Sequence, residues 1–446
     1  MNNHEQQAIA YLKTPTAIRE QCDRLFTLAC ANQLTHFRCN LTQLNTLANY
    51  VIQVIRQEYP DLHIPFHSRW RHFEVGNVPR LEELDHHLAG LTPRQKAQTK
   101  FDLAMISVLL DAGAGSDWQY HEPETGLVFR RSEGLAVCSF RMFCQGAFSS
   151  DPENPLQADA QGLQRLTLQS LAQGFQISPT NPLLGLEGRQ SLLQRLGKSL
   201  IDFPQLFGRE NPRPGNLVNY LLNSSTTEEA SHPLTNKSLV VESPAGWGVR
   251  ETDHPLEKSL IKKQLAASVV LSTVLEGLGN IWPGRLELAG INLGDVWLHR
   301  ALKGDQISDS YVPFHKLSQW LTYSLLEPLQ ELGVEITELD ELTGLAEYRN
   351  GGLCIDLGLL EAKDPAILHQ PHLPSSEIIV EWRALTVSLL DRIATTIRQQ
   401  LNLSAEQLPL VKVLQGGTWT AGRQIAAQLR AGGVPPIQIE SDGTLL

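Results

Sequence analysis

The chain has 446 residues, of which 42% are hydrophobic and 19% charged, and its formal net charge is −11. That is enough apolar side chain for a large buried core and too apolar a balance for a disordered chain. The excess of acidic over basic groups excludes a general nucleic-acid surface, which needs clustered cations, but leaves room for a pocket holding one small phosphate.

Six cysteines, none in a CxxC pair, do not make a disulfide framework or the strongest zinc pattern; buried free thiols are expected. The N-terminal residues lack the charged and apolar stretches of a signal peptide. No apolar run is long enough to cross a bilayer, so a cytoplasmic protein without a membrane partner is expected.

From Thr16 to Glu58 the spacing predicts helix: Leu25, Leu28, Leu41, Leu44, Leu47, Val51 and Ile55 recur every three or four residues, and Pro60 and Pro65 end the pattern. The run His67 to Phe73 packs two histidines, Arg69, Arg71, Trp70 and Phe73 together. It can bind an anion and stack on a planar group, or serve as a structural ion-pair site. Phe101 to Leu110 reads as a buried helix. The glycine-rich loop after it either stops that helix or holds Asp111 and Trp118 at a pocket rim. With no GxGxxG and no Gly-Lys-Ser/Thr ending, a nucleotide-binding Rossmann unit is unsupported.

Trp118 to Arg131 reads as a hairpin or irregular loop around Pro123-Glu-Thr-Gly126, and Arg130 to Gly134 opens an apolar helix reaching Phe143, with Ser132 and Glu133 as caps or ligand contacts. Gly162 to Phe203 looks helical, with Leu163, Leu166, Leu168 and Leu171 toward one side. Residues 223–235 are polar and expected to form an exposed loop between an N-terminal lobe (about 1–165) and a C-terminal lobe (about 236–446) of one domain. Helix resumes over Leu256–Leu278. Asp295 and His299, four apart, have a spacing that can share a metal, but no third ligand stands nearby in sequence.

Val312 to Gly352 is the segment around which the rest is organised. A helix-like run carries Lys316 near its start, and a turn-rich stretch then sets Glu347 beside Arg349 and ahead of Gly351 and Gly352, a backbone free to approach a ligand. One cation, one acid and that backbone suit a small phosphorylated substrate. Ile378 to Leu401 predicts a long amphipathic helix. Its Glu381 and Arg383 need partners if buried, either one another or a role in the site. Gln415 to Trp419 reads as a loop and Ser441 to Thr444 as a terminal turn. Strand signals are few, and the fold class expected is mainly α.

The motifs Ser107-Val-Leu-Leu-Asp111-Ala-Gly-Ala-Gly, Val312-Pro-Phe-His-Lys-Leu-Ser-Gln319-Trp, Leu342-Thr-Gly-Leu-Ala-Glu-Tyr-Arg-Asn-Gly-Gly352, Glu381-Trp-Arg-Ala-Leu-Thr386 and Gly416-Gly-Thr-Trp419-Thr-Ala-Gly422-Arg423 resemble the uracil catabolism protein four family. That resemblance implies a place in uracil degradation. A fainter one, in the order and spacing of Phe101–Trp118, Lys316–Gln319, Leu342-Thr343, Glu347-Tyr348-Arg349 and Val380–Arg383, is to the queuosine salvage N-glycosidases, helical proteins of DNA-glycosylase-like fold.

The second resemblance implies a single helical domain that cleaves an N-glycosidic bond. Glu347 stands where that family has a catalytic aspartate, and Lys316 matches its lysine. Arg349, Tyr348, Asn350, His315, Glu381 and Arg383 are the expected substrate contacts, with Asp111, Trp118, Arg71 and His72 at the far end of the ligand. The reaction implied releases urea and ribose 5-phosphate from a ribosylurea phosphate, with no metal or cofactor and no nucleic-acid partner. The alternatives are a hydrolase acting on an amide bond of the opened uracil ring and a non-catalytic assembly subunit.

Overall fold

The computed structural model describes residues 2–115, 117–227, 263–282 and 286–440. Three of its long helices are apolar on more than one side. In Pro93–Leu109 every residue from Thr99 to Leu109 is buried, and Thr92 opens it with a capping box to Gln95 and a proline in the first turn. In Lys316–Glu331 burial is unbroken from Lys316 to Leu326. In Glu377–Leu401 it is unbroken from Ile379 to Leu390, with Ser376 as the starting cap and Asn402 in the left-handed conformation that stops it. Helices buried all round belong at the centre, and these three are enclosed by the others.

Lys316–Glu331 packs on Pro93–Leu109 and Ala267–Leu278, while Glu377–Leu401 packs on Pro15–Cys30, Leu44–Glu58 and Tyr348–Asp356. One continuous apolar core reaches from Ile18 to Ile437. Where a charge falls inside it, partners converge. Asp102, mid-helix and fully buried, accepts from Arg213 Nε at 2.8 Å and from the Gly215 amide at 2.6 Å. Strands are short and mostly paired in twos, and the chain is a mainly α domain. No described helix is long and apolar enough to cross a membrane.

Several expectations are corrected. The helical stretch Thr16–Glu58 is two helices, Pro15–Cys30 and Leu44–Glu58, separated by a strand, Phe37–Cys39, that pairs antiparallel with Leu360–Ala362. Gln415–Trp419 is not a loop: Leu414–Thr418 forms a π turn between Leu410–Val413 and Trp419–Leu429. It needs glycine there, because a Cβ on Gly417 would sit 2.5 Å from Val51 Cγ1. The Trp118–Arg131 stretch does contain a hairpin, Gln119–His121 against Val128–Arg130. Of the leucines from 163 to 171, Leu168 is exposed and the other three are buried. Most of the polar 223–235 loop, the 256–262 part of the expected helix and the terminal turn lie outside the described residues.

Candidate active site

Lys316 opens its helix without a side-chain cap, directly after His315 in left-handed conformation. The cap comes from elsewhere: Asp295 Oδ2 accepts from the Lys316 amide at 3.1 Å. Asp295 is itself held by Arg383, whose Nη1 and Nη2 donate to its two oxygens at 2.8 and 2.7 Å, and by Trp297 Nε1 at 2.7 Å. Burial alone would raise the Asp295 pKa, but the Arg383 guanidinium and these donors hold it far below the usual carboxylate range.

Three residues into the same helix, Gln319 clamps the segment that leads to Glu347. Its Oε1 accepts from the Thr343 amide at 2.9 Å, and its Nε2 donates to Thr343 Oγ1 at 2.7 Å and to the Phe314 carbonyl at 3.1 Å. The lysine and the acid are thus fixed to one another through Gln319. Replacing it (Gln319→Leu) strands two buried polar groups, the Thr343 amide and the Phe314 carbonyl, and is expected to lower stability by about 2–3 kcal/mol, read by urea denaturation.

Glu347 is the N-cap of the Tyr348–Asp356 helix: its Oε2 accepts from the Arg349 amide at 2.8 Å and its Oε1 from the Asn350 amide at 2.7 Å. It is not an exposed loop glutamate. Burial raises its pKa, opposed by these two amides and by the charges of Lys316 and Arg349. Burial lowers the pKa of Lys316, opposed by Glu347 and Asp111. Lys316 makes no ion pair with a described residue; its Nζ lies 5.6 Å from the ring of Trp320, one helical turn on.

These groups line one cavity of about 330 Å³, with Asp111, Ala112–Gly115, His67, His72, Arg131, Ser132, Trp320, Tyr348, Arg349, Trp419 and Ile437 among its walls. Three helices begin at it, at Arg131, Lys316 and Tyr348, and their N-termini add positive partial charge to the three cations Arg131, Lys316 and Arg349. Arg349 stacks between Tyr348 and Trp419, 5.2 and 5.5 Å from their ring centres, and forks onto no described carboxylate. Asp111 accepts from Ser132 Oγ at 2.8 Å and lies 3.1 Å from Arg69 Nη1. The loop carrying it is shaped by the buried Arg189, which donates to the carbonyls of Leu110, Ala112 and Gly113.

Opposite, two neutral histidines meet two tryptophans. The His72 ring is edge-on to Trp320 and Trp419, 5.5 Å from each. Burial pushes His67 down to about 4, and burial together with Arg69 lowers His72. Gln415, whose Nε2 donates to Tyr59, offers its Oε1 to His67 Nδ1 at 2.9 Å. That favours the tautomer with Nε2 as the acceptor.

Of the residues expected from sequence, the structure brings Glu347, Lys316, Arg349, Tyr348, Asp111 and His72 to the cavity. The others lie elsewhere. Trp118 is fully buried against Phe175 and donates to its carbonyl. Arg71 pairs with Glu327 and Glu74, and His315 Nε2 lies 2.9 Å from the Leu12 carbonyl. Asn350 gives only its amide, to Glu347. Glu381 and Arg383 do not pair with one another: Glu381 accepts from the His36 and Phe37 amides, and Arg383 holds Asp295. For the same reason Asp295 and His299 share nothing.

Ser132 and Glu133 do not cap their helix; Ser132 serves Asp111 and Glu133 pairs with Arg423. Gly351 is there for packing, since a Cβ would meet the Trp382 indole at 2.7 Å. His67 was named only as part of the His67–Phe73 cluster, and Arg131, Trp320, Trp419 and the 435–439 segment were not expected at the site. Trp320 was within reach, because residues four apart share a helix face with Lys316.

The family model described as "Protein of unknown function (DUF1688)" matches residues 11–446. The chain belongs to that family. Among curated relatives, "Uracil catabolism protein 4" of Lachancea kluyveri is 36% identical over 467 residues, covering 98% of both chains. "Protein urg3" of Schizosaccharomyces pombe is 37% identical over 446 residues, covering 98% of this chain and 99% of its own. The family resemblance read from the motifs is therefore correct along the full chain.

Proposed function

We propose that this protein acts in uracil degradation as a hydrolase of the N-glycosidic C–N bond in a ribosylurea 5-phosphate, giving urea and ribose 5-phosphate. The name of the Lachancea kluyveri relative, a uracil catabolism protein, supports the pathway. The observation that carries the reaction is a buried carboxylate, Glu347, fixed in a cavity whose three cations, Arg131, Lys316 and Arg349, have no carboxylate paired to them among the described residues.

Breaking the bond from C1′ to the urea nitrogen builds positive charge on the sugar. A carboxylate immobilised beforehand stabilises that charge without reorganising. Both Glu347 oxygens already accept a backbone hydrogen bond, which lowers their nucleophilicity and suits orienting a water through the remaining lone pairs. The water oxygen bonds to C1′, the C–N electron pair leaves with the urea nitrogen, and the proton released by water ends on that nitrogen. Arg349 and the helix N-termini at Arg131 and Lys316 offer the 5′-phosphate its donors. Lys316 lies within electrostatic reach of both Glu347 and Asp111 and favours the charged form of Glu347. His67 and Asp111 can accept from urea N–H groups.

The test is product identification with pure protein and ribosylurea 5-phosphate. Equal amounts of urea and ribose 5-phosphate are expected, with the unphosphorylated ribosylurea turned over much more slowly. Release of ammonia or a carboxylic acid from an opened-ring intermediate instead would make the protein an amide hydrolase. No turnover of any of these compounds would leave a binding subunit.

A further inference from the structure

We propose that Arg131 selects a phosphate monoester and couples its capture to closure of the 431–439 segment over the cavity. The inference rests on the substrate class proposed above, and adds to it a guanidinium and a covering strap that the bond cleavage itself does not use.

Charge sets the class of ligand. Arg131, Lys316 and Arg349 line the cavity without a paired carboxylate among the described residues. Of the acids there, Asp111 is answered by Arg69, whose Nη1 lies 3.1 Å from its Oδ1, and Glu347 offsets one of the three cations. Two positive charges are left over. A phosphate monoester carries about −1.5 to −2 at neutral pH, while a diester carries a single negative charge and a bare sugar none.

Arg131 is placed to use that excess. It is the first residue of the Arg131–Cys144 helix, which has no side-chain cap, and its backbone is left-handed at φ 54°. Glycine would hold that conformation without strain, so the arginine side chain is kept against the preference of its own backbone. Its Nη2 donates to the Gly432 carbonyl at 2.9 Å, and no carboxylate among the described residues takes the remaining N–H groups. Burial raises the pKa of the Tyr348 phenol, and Arg349 and Arg131 both oppose the rise, so the two guanidiniums act on one ring. A pair of guanidinium forks at one site suits the several oxygens of a phosphate.

The Gly432 carbonyl belongs to the strap. At one end Arg430 forks onto Asp356, the last residue of the helix that Glu347 caps, at 2.7 and 2.6 Å, and its Nε donates to the Val434 carbonyl at 2.7 Å. At the other end Gln438–Ile439 pairs with Pro371–His372, and the Glu440 amide donates to the His372 carbonyl at 3.0 Å. Between these ties the chain turns through two left-handed glycines, Gly432 and Gly433, and sets Pro435, Ile437 and Ile439 into the cavity wall. A phosphate bound by the free N–H groups of Arg131 fixes the guanidinium that holds this turn, so the ligand and its cover are ordered together.

The experiment titrates the full chain calorimetrically with ribose 5-phosphate, with its methyl phosphodiester and with ribose, and follows amide hydrogen exchange over residues 431–439. The parent is expected to bind the monoester about 10-fold more tightly than the diester, with exchange in the strap slowed by the ligand. Arg131→Gly suits the left-handed backbone and is expected to stay folded, to bind ribose 5-phosphate about 10–100-fold more weakly and to lose that protection. Arg131→Lys keeps the charge without the fork, and is expected to recover part of the affinity and none of the protection. A parent that binds the two esters alike, or an Arg131→Gly protein with the parent's affinity, would overturn the selection; protection that survives in Arg131→Gly would overturn the coupling. None of this needs turnover. A parent that binds ribose 5-phosphate in this way but releases no urea fails the reaction and leaves the clamp, while urea release with unchanged binding in Arg131→Gly fails the clamp and leaves the reaction.

Discussion

Glu347→Gln is expected to reduce kcat for urea release by about 10³-fold while leaving substrate affinity within about threefold, because a fixed charge under C1′ matters in the transition state far more than in the ground state. The substitution keeps size and one amide acceptor, so the helix cap costs only about 1 kcal/mol and the protein stays folded. Glu347→Asp is the companion: it keeps the charge and a good capping group but withdraws the carboxylate, so it should lose rate with little loss of stability. A Glu347→Gln protein with the parent rate would remove the carboxylate from the mechanism.

The pH profile gives a second reading of the same group. The proposed reaction needs Glu347 ionised and Lys316 charged. Burial raises the first from its ordinary 4.5 and lowers the second from 10.5, so the rising limb should lie above the usual glutamate range and the falling limb below the usual lysine range. In Glu347→Gln the rising limb of the residual activity should disappear.

What could be read before any coordinates was the part written locally. Helices announced themselves by three-or-four spacing, and Lys316 and Glu347 by motifs that resemble a family. What stayed hidden was where buried polar side chains find partners. Glu381, Arg383, His315 and Trp118 look functional in a sequence because they interrupt apolar runs, yet each is held by a group distant along the chain; for Arg383 the partner is 88 residues away, and for Glu381, through one oxygen, it is the His36 and Phe37 amides. No local pattern separates a charge aimed at a ligand from one aimed at a fold contact. The Phe37–Cys39 strand was missed for the same reason, since its partner Leu360–Ala362 lies at the other end of the chain. Gly351 was misread because glycine serves close helix packing as readily as ligand approach.

Arg383→Met carries the largest expected loss of stability, about 3–5 kcal/mol at neutral pH. The guanidinium makes both hydrogen bonds to Asp295, lies 4.1 Å over the Phe314 ring and reaches the Ala346 carbonyl at 3.3 Å. Methionine keeps much of the volume but leaves Asp295 buried with its charge unpaired. The pH dependence tells this apart from a packing defect. In the parent, Asp295 has a depressed folded pKa. Its contribution is therefore present above the unfolded aspartate value and is lost as pH falls through the folded one. Without Arg383, burial dominates and the folded pKa rises above the unfolded value, so protonation relieves the variant as pH falls. Urea denaturation at about pH 7 and about pH 5 should show the gap between variant and parent narrowing on acidification. Adding Asp295→Asn should recover part of the loss, since the unpaired charge is gone. A gap that stays constant with pH, and a double variant no more stable than the single one, would mean the pair only fills space. Because Asp295 also caps the helix that starts at Lys316, the same charge holds the cavity's lysine in place, and a pair that merely filled space would leave that helix start with no fixed anchor.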